Sequence, residues 1–298
     1  MGQYAEFKDK VGIVTGGGSG HLPLFLGYVG QNMLDGAGVG GVFQSPSSDQ
    51  ILEVTRHVDQ GAGVLYLYGN YTGDIMNFDM AGEMVEFDDI SSTTVLLADD
   101  VASAPLAERE KRRGVAGMVL TFKIAGAAAE AGLDLDGVTR VAQKAADGCR
   151  TMGVALSPCT VPQAGKPTFT IADDEMEVGM GIHGEPGIER SKLAPADQVV
   201  DQMMARIFAE TDYAPGDEVA VLINGLGGTP LEELYILFRR VGQLMDERGV
   251  KIRHVWLGEF ATSMEMAGAS ISVMHLDGEL EPLIAAAADT PFFTHIAG

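Results

Sequence analysis

The sequence predicts an α/β protein built as two closely packed α/β domains with mixed sheets. Three observations point there. Short β-rich apolar runs alternate with helical patterns along the whole length. Most of these runs end in glycine-rich or Asn/Asp-rich loops, the form functional loops take at strand ends. Finally, 39 of the 298 residues are glycine, a share that implies many tight turns and close backbone approaches.

In chain order, Val11–Thr15 is predicted as a strand ending in a glycine loop, with further strands at Gly63–Tyr68 and Thr93–Ala98. Between them, Asp49–Val58 carries Ile51, Val54 and Val58 at helical spacing behind a Ser/Asp start, the pattern of a capped helix. Asn77–Phe87, the alanine-rich Val115–Ala131 and Val138–Ala146 also have helical patterns. Near Cys149 the character changes. Val154–Ser157, Pro167–Ile171 and Glu175–Gly181 suggest antiparallel strands. Helix Asp197–Phe208, strand Glu218–Ile223, helix Leu231–Arg248 and strands Lys251–Leu257 and Ser270–Leu276 follow. These features place a domain boundary at 148/149, giving an N-terminal domain of residues 1–148 with a glycine-rich ligand loop and a C-terminal domain of residues 149–298.

Composition narrows the function classes. Hydrophobic residues make up 46% and charged residues 21%, as in a globular protein. The formal net charge of −22 disfavours nucleic acid as a partner, because that binding draws on clustered Lys and Arg. No apolar run approaches the roughly 18 residues of a membrane span, and no signal peptide opens the chain, so a cytoplasmic location is expected. Cys149 and Cys159 have neither metal-ligand nor redox-motif spacing and are expected as free, part-buried thiols. The 6 histidines show no zinc-site spacing, and no metal site is expected.

Four loops are candidates for chemistry. Thr15–His21 (TGGGSGH) follows a strand and lets backbone amides approach a small polar ligand. It lacks the Gly-Lys-Ser/Thr of a Walker loop, and a plain strand–helix turn would also use these residues. His21 closes it, as a ligand contact or as a structural hydrogen-bonder. Asn70–Asp74 (NYTGD) again follows an apolar strand, with Asp74 either functional or the cap of the next helix. Asp99-Asp100 has the same two readings. Gly179–Gly187 (GMGIHGEPG) surrounds His183 with glycines and a proline, giving an imidazole room to act as nucleophile or proton carrier. Asn224–Pro230 is a further glycine loop that either binds an anion or makes a turn. His57, His254, His275 and His295 are expected to be structural or superficial.

Taken together, these segments resemble the DhaK-type (Dak1) substrate-binding subunit of dihydroxyacetone kinases. The resemblance is carried by Gly16–Pro23 (GGGSGHLP), Gly27–Gly30 (GYVG), Asn70–Phe78 (NYTGDIMNF), Asp99–Ala102 (DDVA) and Arg113–Ala116 (RGVA). It continues through Ala125–Gly132 (AGAAAEAG), Cys159–Gly165 (CTVPQAG), Asp174–Gly187 (DEMEVGMGIHGEPG) and Gly225–Tyr235 (GLGGTPLEELY). The pairing of GIHGEPG with NYTGD is the most specific part.

The resemblance implies a catalytic set of His183, His21 and Asp74. His183 attacks the ketone carbon of dihydroxyacetone to form a hemiaminal, while His21 and Asp74 hydrogen-bond the substrate hydroxyls and assist proton transfer. The backbone at Gly17 and Gly18 lines the pocket. It implies no cofactor on this chain: Mg-ATP or Mg-ADP belongs to a separate L-type subunit, which free ATP or a phosphotransferase-system protein serves. It also implies a homodimer. The alternative within the family is a hydroxyketone-sensing co-regulator of transcription without phosphoryl transfer. One departure bears on the substrate. Where relatives carry a lysine before NYTGD, this chain has Gly69, which would open space and remove a donor. That favours a longer ketose, such as four-carbon erythrulose, over dihydroxyacetone. The chain also begins close to its first predicted strand, without the lead-in of many relatives.

Overall fold

A computed structural model describes residues 3–4 and 10–296. The chain forms two compact units, each assembled from separated stretches. Met1–Leu97, Met118–Asp147 and Gly278–Gly298 make the first; Ala98–Gly117 and Gly148–Asp277 make the second. The expected boundary at 148/149 sits beside one passage between units, but the contiguous halves 1–148 and 149–298 do not describe the chain. Ala98–Gly117 joins the later unit, and Gly278–Gly298 returns to the earlier one. Neither stretch changes composition where it crosses, so local pattern could not reveal the exchange.

The first unit holds a sheet of β1 (Gln3–Tyr4), β2 (Gly12–Gly18), β3 (Gly36–Gly40), β4 (Val64–Gly69) and β5 (Ser92–Leu97). Their spatial order is β1-β3-β2-β4-β5, parallel except for the antiparallel β1–β3 pair. Helices α1 (Ser48–Val58), α2 (Thr72–Val85), α3 (Met118–Glu130) and α4 (Leu135–Gly148) complete its main body. A capping box fixes the start of α1: the Gln50 amide donates to Ser47 Oγ, and Gln50 Oε1 accepts the Ser47 amide. Ile51, Val54 and Val58 of α1 then pack with Val14, Tyr66, Tyr68 and Phe78 in one core cluster. Strand β3 (GAGVG) was not anticipated. It has one β-branched residue, and its glycines are kept by packing: a Cβ at Gly38 would lie 3.1 Å from Pro46.

Every residue of α3 from Met118 to Ala129 is buried, consistent with a helix apolar on all sides. Its small residues permit close approach; a Cβ on Gly126 would come 2.4 Å from the Met33 carbonyl oxygen. The one charge inside it, Lys123, donates to the Ala286 carbonyl, and burial pushes its amine down to about 8.

The second unit holds β6 (Cys149–Ala155), the short ribbon β7 (Thr160–Val161) and β8 (Lys166–Pro167), β9 (Glu175–Val178) and β10 (Glu189–Lys192). It continues with α5 (Ala196–Phe208), β11 (Glu218–Gly225), α6 (Leu231–Glu247), β12 (Lys251–Gly258) and β13 (Gly268–Leu276). Six strands form one sheet in the order β10-β9-β6-β13-β11-β12, with β11 and β12 parallel and the other pairs antiparallel. Val200, Met203, Met204 and Ile207 of α5 and Leu234, Val241 and Met245 of α6 pack on Val219, Val221, Ile223, Ile271 and Val273. Both sheets are of the α/β kind expected. The expected strand Pro167–Ile171 shrinks to the two residues of β8. The chain closes with α7 (Leu280–Ala285), β14 (Ala288–Asp289) and β15 (Thr294–His295) in the first unit.

A buried ion pair anchors Ala98–Gly117 within the second unit. Arg112, 1% exposed, gives Nη1 and Nη2 to the Glu210 carboxylate at 2.7 and 2.6 Å and Nε to the Ala104 carbonyl at 2.8 Å. Glu210 also faces Arg150 Nε at 3.3 Å, so removing Arg112 takes two charged hydrogen bonds from the carboxylate and leaves it one cation. Arg112→Ala should therefore destabilise the second unit by about 1.5–3 kcal/mol, the range for hydrogen bonds to a charged group. Urea unfolding followed by a probe in that unit measures it; a loss below about 1 kcal/mol, the value of an exposed pair, would contradict the assignment.

Candidate active site

In the first unit, β3 and β4 lie on opposite sides of β2, so the chain reverses direction across the sheet at the carboxyl end of β2. Open α/β sheets bind ligands at such switch points. His21 follows β2, and Asp74 follows the adjacent β4, so the topology brings two predicted site residues to one edge of one sheet.

The glycine loop is held by a segment that sequence reasoning passed over. The amides of Ser19 and Gly20 donate to the carbonyls of Gly41 and Val42 at 3.0 and 2.7 Å. A Cβ on Gly18 would meet the Val42 oxygen at 2.5 Å, and one on Gly17 the Phe25 ring at 2.1 Å. Gly17 and Gly18 thus end β2, paired with Val39 and Gly40 of β3, and they admit close neighbours. Their ladder to β4 covers only Gly12–Val14, so toward β4 the backbone of Gly16–Gly18 has left the sheet pairing. Phe25 has φ of 68°, an uncommon backbone for an aromatic residue, and its ring stands edge-on to His21. The His21 ring is 1% exposed and stacks on Phe43, centroids 4.8 Å apart at 19°. The imidazole is therefore clamped in orientation by two aromatic rings.

Asp74 sits half-buried in the first turn of α2, where a carboxylate meets the positive end of the helix dipole. It does not cap the helix, which begins earlier than expected with Tyr71 at the cap position. Asn77, one turn on, donates to the Pro46 carbonyl at 2.8 Å and to Ser45 Oγ at 3.2 Å. The segment 41–47 thus touches both the His21 loop and α2. Its only signal was a Gly/Ser/Pro-rich run of ordinary loop composition.

Gly69 ends β4, and a Cβ there would lie 3.1 Å from Met118 Sδ and 3.1 Å from Tyr71 Cε2, so these two side chains border the position.

In the second unit, His183 lies in the loop between β9 and β10 with its side chain 26% exposed. Its Nδ1 is 2.8 Å from Glu185 Oε1, and its amide donates to Glu185 Oε2 at 2.9 Å. The carboxylate accepts from Nδ1–H, which leaves Nε2 as the ring nitrogen with the lone pair. Behind Glu185 stands Arg113, whose Nη1 is 3.9 Å from Oε2. Arg113 in turn binds Asp100 Oδ2 through Nη2 at 2.7 Å and Nε at 2.9 Å. Burial alone would raise Glu185, but the hydrogen bond and charge of His183 and the charge of Arg113 outweigh it. They hold the carboxyl down to about 2 from its ordinary 4.5.

The acidic pair divides its work. Asp99 is buried and accepts the amides of Val115 and Gly117, both at 2.9 Å, which makes it structural. Asp100 faces Arg113, and burial pushes it up to about 6 despite that partner. The Asn224–Pro230 loop is also structural: Asn224 binds Ala261 O, Ser270 Oγ and the amides of Phe260 and Ala261. Cys149 and Cys159 are buried free thiols. Among the described residues no group of His, Cys, Asp and Glu is arranged to hold a metal, and no helix is long and apolar enough to cross a membrane.

The first unit thus carries a clamped histidine and a helix-end carboxylate at a switch point of its α/β sheet, and the second carries a histidine bonded to a carboxylate in a glycine-walled loop. The chain belongs to the Dak1 domain family, whose model matches residues 2–292. It is 51% identical over 286 residues to the dihydroxyacetone-binding subunit DhaK of PTS-dependent dihydroxyacetone kinase 2 of Listeria innocua, covering 96% of this chain and 86% of that protein. It is 45% identical to an L-erythrulose kinase of Pectobacterium atrosepticum, covering 96% of this chain but 49% of the longer relative. Among solved structures, the native dihydroxyacetone kinase of C. freundii superposes with TM-score 0.89 at 34% identity, over 97% of this chain and 52% of that one. The dihydroxyacetone kinase operon co-activator Dha-DhaQ superposes with TM-score 0.90 at 30% identity, over 97% of this chain and 90% of that one.

The Glu185 geometry gives an acid-limb prediction. Its folded value lies below its ordinary one, so its ionisation adds stability above pH 4.5 that is lost as pH falls from 4.5 toward about 2. Glu185→Gln should flatten that part of the stability–pH curve. A variant curve parallel to the parent between pH 5 and 2.5 would show that the carboxylate is not held as described.

Proposed function

We propose that this chain is the substrate-binding subunit of a short-ketose kinase, with dihydroxyacetone as the first substrate, and that it holds the ketose as a hemiaminal on His183. The carrying observation is the His183–Glu185 pair at 2.8 Å in a glycine-walled loop, which keeps the proton on Nδ1 and so puts the lone pair on Nε2. In the step proposed, that lone pair forms a C–N bond to the ketone carbon while the C=O π pair moves onto oxygen, which takes a proton. The ring gains positive charge facing Glu185 and becomes neutral again when its Nδ1 proton leaves. No atom is lost, so the adduct has the summed mass of protein and ketose.

Covalent capture tests for an electrophilic carbon. Glycerol has a similar outline and no such carbon, and hydrogen bonds alone separate such pairs weakly. Capture also fixes the terminal hydroxyl for in-line attack on a phosphoryl group. His21 and Asp74 are assigned to the substrate hydroxyls and the accompanying proton transfers, with the backbone of Gly17 and Gly18 beside them. The phosphoryl group would arrive with Mg-ATP or Mg-ADP on a separate L-type subunit, and this chain is expected to act as a homodimer.

Dihydroxyacetone is placed first because the DhaK relative binds it. Erythrulose stays second, on the likeness to an erythrulose kinase. A non-catalytic sensing role is the other reading, favoured by the likeness to the operon co-activator.

Intact-protein mass spectrometry with dihydroxyacetone should show the summed mass for the parent and none for His183→Ala, with the fold retained. His21→Ala and Asp74→Ala should still fold and should slow phosphoryl transfer by about 10²–10⁴-fold, the usual loss for a general acid or base. An adduct that survives in His183→Ala would refute the nucleophile assignment. By calorimetry the isolated chain should not bind Mg-ATP, and phosphorylation should appear only when an L-type subunit is added. Micromolar Mg-ATP binding to the chain alone would contradict the division of labour, and a chain that captures ketose yet never supports transfer would be a sensor.

A further inference from the structure

We propose that Glu185, Arg113 and Asp100 form a positioning relay for His183, in which Glu185 fixes the Nδ1–H tautomer and Arg113, held by Asp100, fixes Glu185. This rests on the reading that His183 captures a ketone.

The relay is built in one direction. Glu185 gives both carboxylate oxygens to one residue, Oε1 to the His183 ring at 2.8 Å and Oε2 to the His183 amide at 2.9 Å. Ring orientation and loop backbone are therefore set by the same group. A carboxylate at that distance from Nδ1 keeps the proton on Nδ1, since the opposite tautomer would point a lone pair at an anion. The ring lone pair is then on Nε2, the attacking nitrogen.

Arg113 is itself fixed from several sides. Nη2 reaches Asp100 Oδ2 at 2.7 Å and the Gly179 carbonyl at 3.2 Å, and Nε reaches the same Asp100 oxygen at 2.9 Å. Its backbone amide donates to Ser103 Oγ at 3.0 Å, and its carbonyl accepts the Asp100 amide at 3.1 Å. Asp100 Oδ1 is taken by the Ala102 amide at 3.0 Å. With side chains 14% and 4% exposed, the Arg113–Asp100 pair is not a solvated surface pair. Having no hydrogen bond to Glu185 at 3.9 Å, Arg113 acts on the carboxylate through charge.

Gly181 shows that this convergence needs space. A Cβ there would stand 2.1 Å from Glu185 Oε2 and 2.5 Å from Arg113 Nη1. A methyl at this one position would separate the carboxylate from the guanidinium without altering either charge. A loop that needed only to turn would not bring its carboxylate to the same bare Cα that a guanidinium from the separate stretch Ala98–Gly117 approaches.

The test uses the full chain and two readouts. The first is the His183 tautomer in the free protein, read by long-range ¹H–¹⁵N correlation at a pH where the ring is neutral. The second is the equilibrium constant for the dihydroxyacetone adduct, read by titration with mass detection. The parent should carry its proton on Nδ1. Glu185→Gln should lose that preference and weaken adduct formation by about 10–100-fold, the range for second-layer partners of a working histidine. Arg113→Gln and Gly181→Ala should move both readouts the same way by a smaller factor, and Arg113→Lys should recover part of the loss. Should Arg113→Gln fail to fold, Gly181→Ala and Glu185→Gln carry the test. A Glu185→Gln protein with the Nδ1–H tautomer and the adduct constant of the parent would overturn the relay. So would Arg113→Lys behaving no better than Arg113→Gln when both are folded. If the parent forms no adduct with any short ketose, the functional reading fails, and the tautomer spectrum still decides the relay.

Discussion

The carboxylate of Glu185 is bound on both oxygens by the residue two positions before it, and the chemistry assigned to His183 depends on that arrangement. An exposed imidazole samples both tautomers and many orientations. Here one anion removes both freedoms. Its carboxyl is held down to about 2, so it stays ionised across the neutral range, where it accepts the Nδ1 proton of the neutral ring. The loop glycines serve this geometry. Gly181 leaves the space that Glu185 and Arg113 occupy, and Gly179 and Gly184, both with φ of 81°, make turns that a side chain would resist.

The first unit solves a related problem by packing. His21 is oriented by two aromatic rings and by a glycine loop whose amides are already engaged by the 41–42 backbone. These glycines admit Phe25 and the Val42–Gln44 backbone at distances no Cβ would tolerate. They are an architectural feature rather than an anion cradle, because the Ser19 and Gly20 amides are spent inside the protein. Asp74 gains from the positive helix end where it sits. Two chain positions far apart in sequence thus reach one sheet edge because β2 and β4 are neighbours.

How much of this was legible depended on what kind of signal each element left. Strands β2, β4 and β5 of the first unit and helices α1, α5 and α6 carried apolar periodicity and were found to within a few residues. Strand β3 left none, since Gly36–Gly40 offers glycine where β-branched residues would mark a strand. The exchange of Ala98–Gly117 and Gly278–Gly298 between units was invisible, because it rests on long-range pairs such as Arg112–Glu210 and Lys123–Ala286. His21, Asp74 and His183 stood out because motifs surround them. Glu185 lay inside the most specific motif without any role suggested by spacing. Asp100 was visible as one of an acidic pair with two readings and Arg113 only as part of a matched segment, since nothing local shows a guanidinium bound across 13 positions. Gly69 was legible only as an absent side chain, and its neighbours Tyr71 and Met118 were not.

The most direct test of the account follows the bond itself. Protein labelled with ¹⁵N in histidine and incubated with dihydroxyacetone carrying ¹³C at the ketone carbon should show that carbon as tetrahedral and coupled to a single ring nitrogen, Nε2 of His183. A ketone carbon that keeps its carbonyl resonance in the bound state, or one coupled to Nδ1, would contradict it.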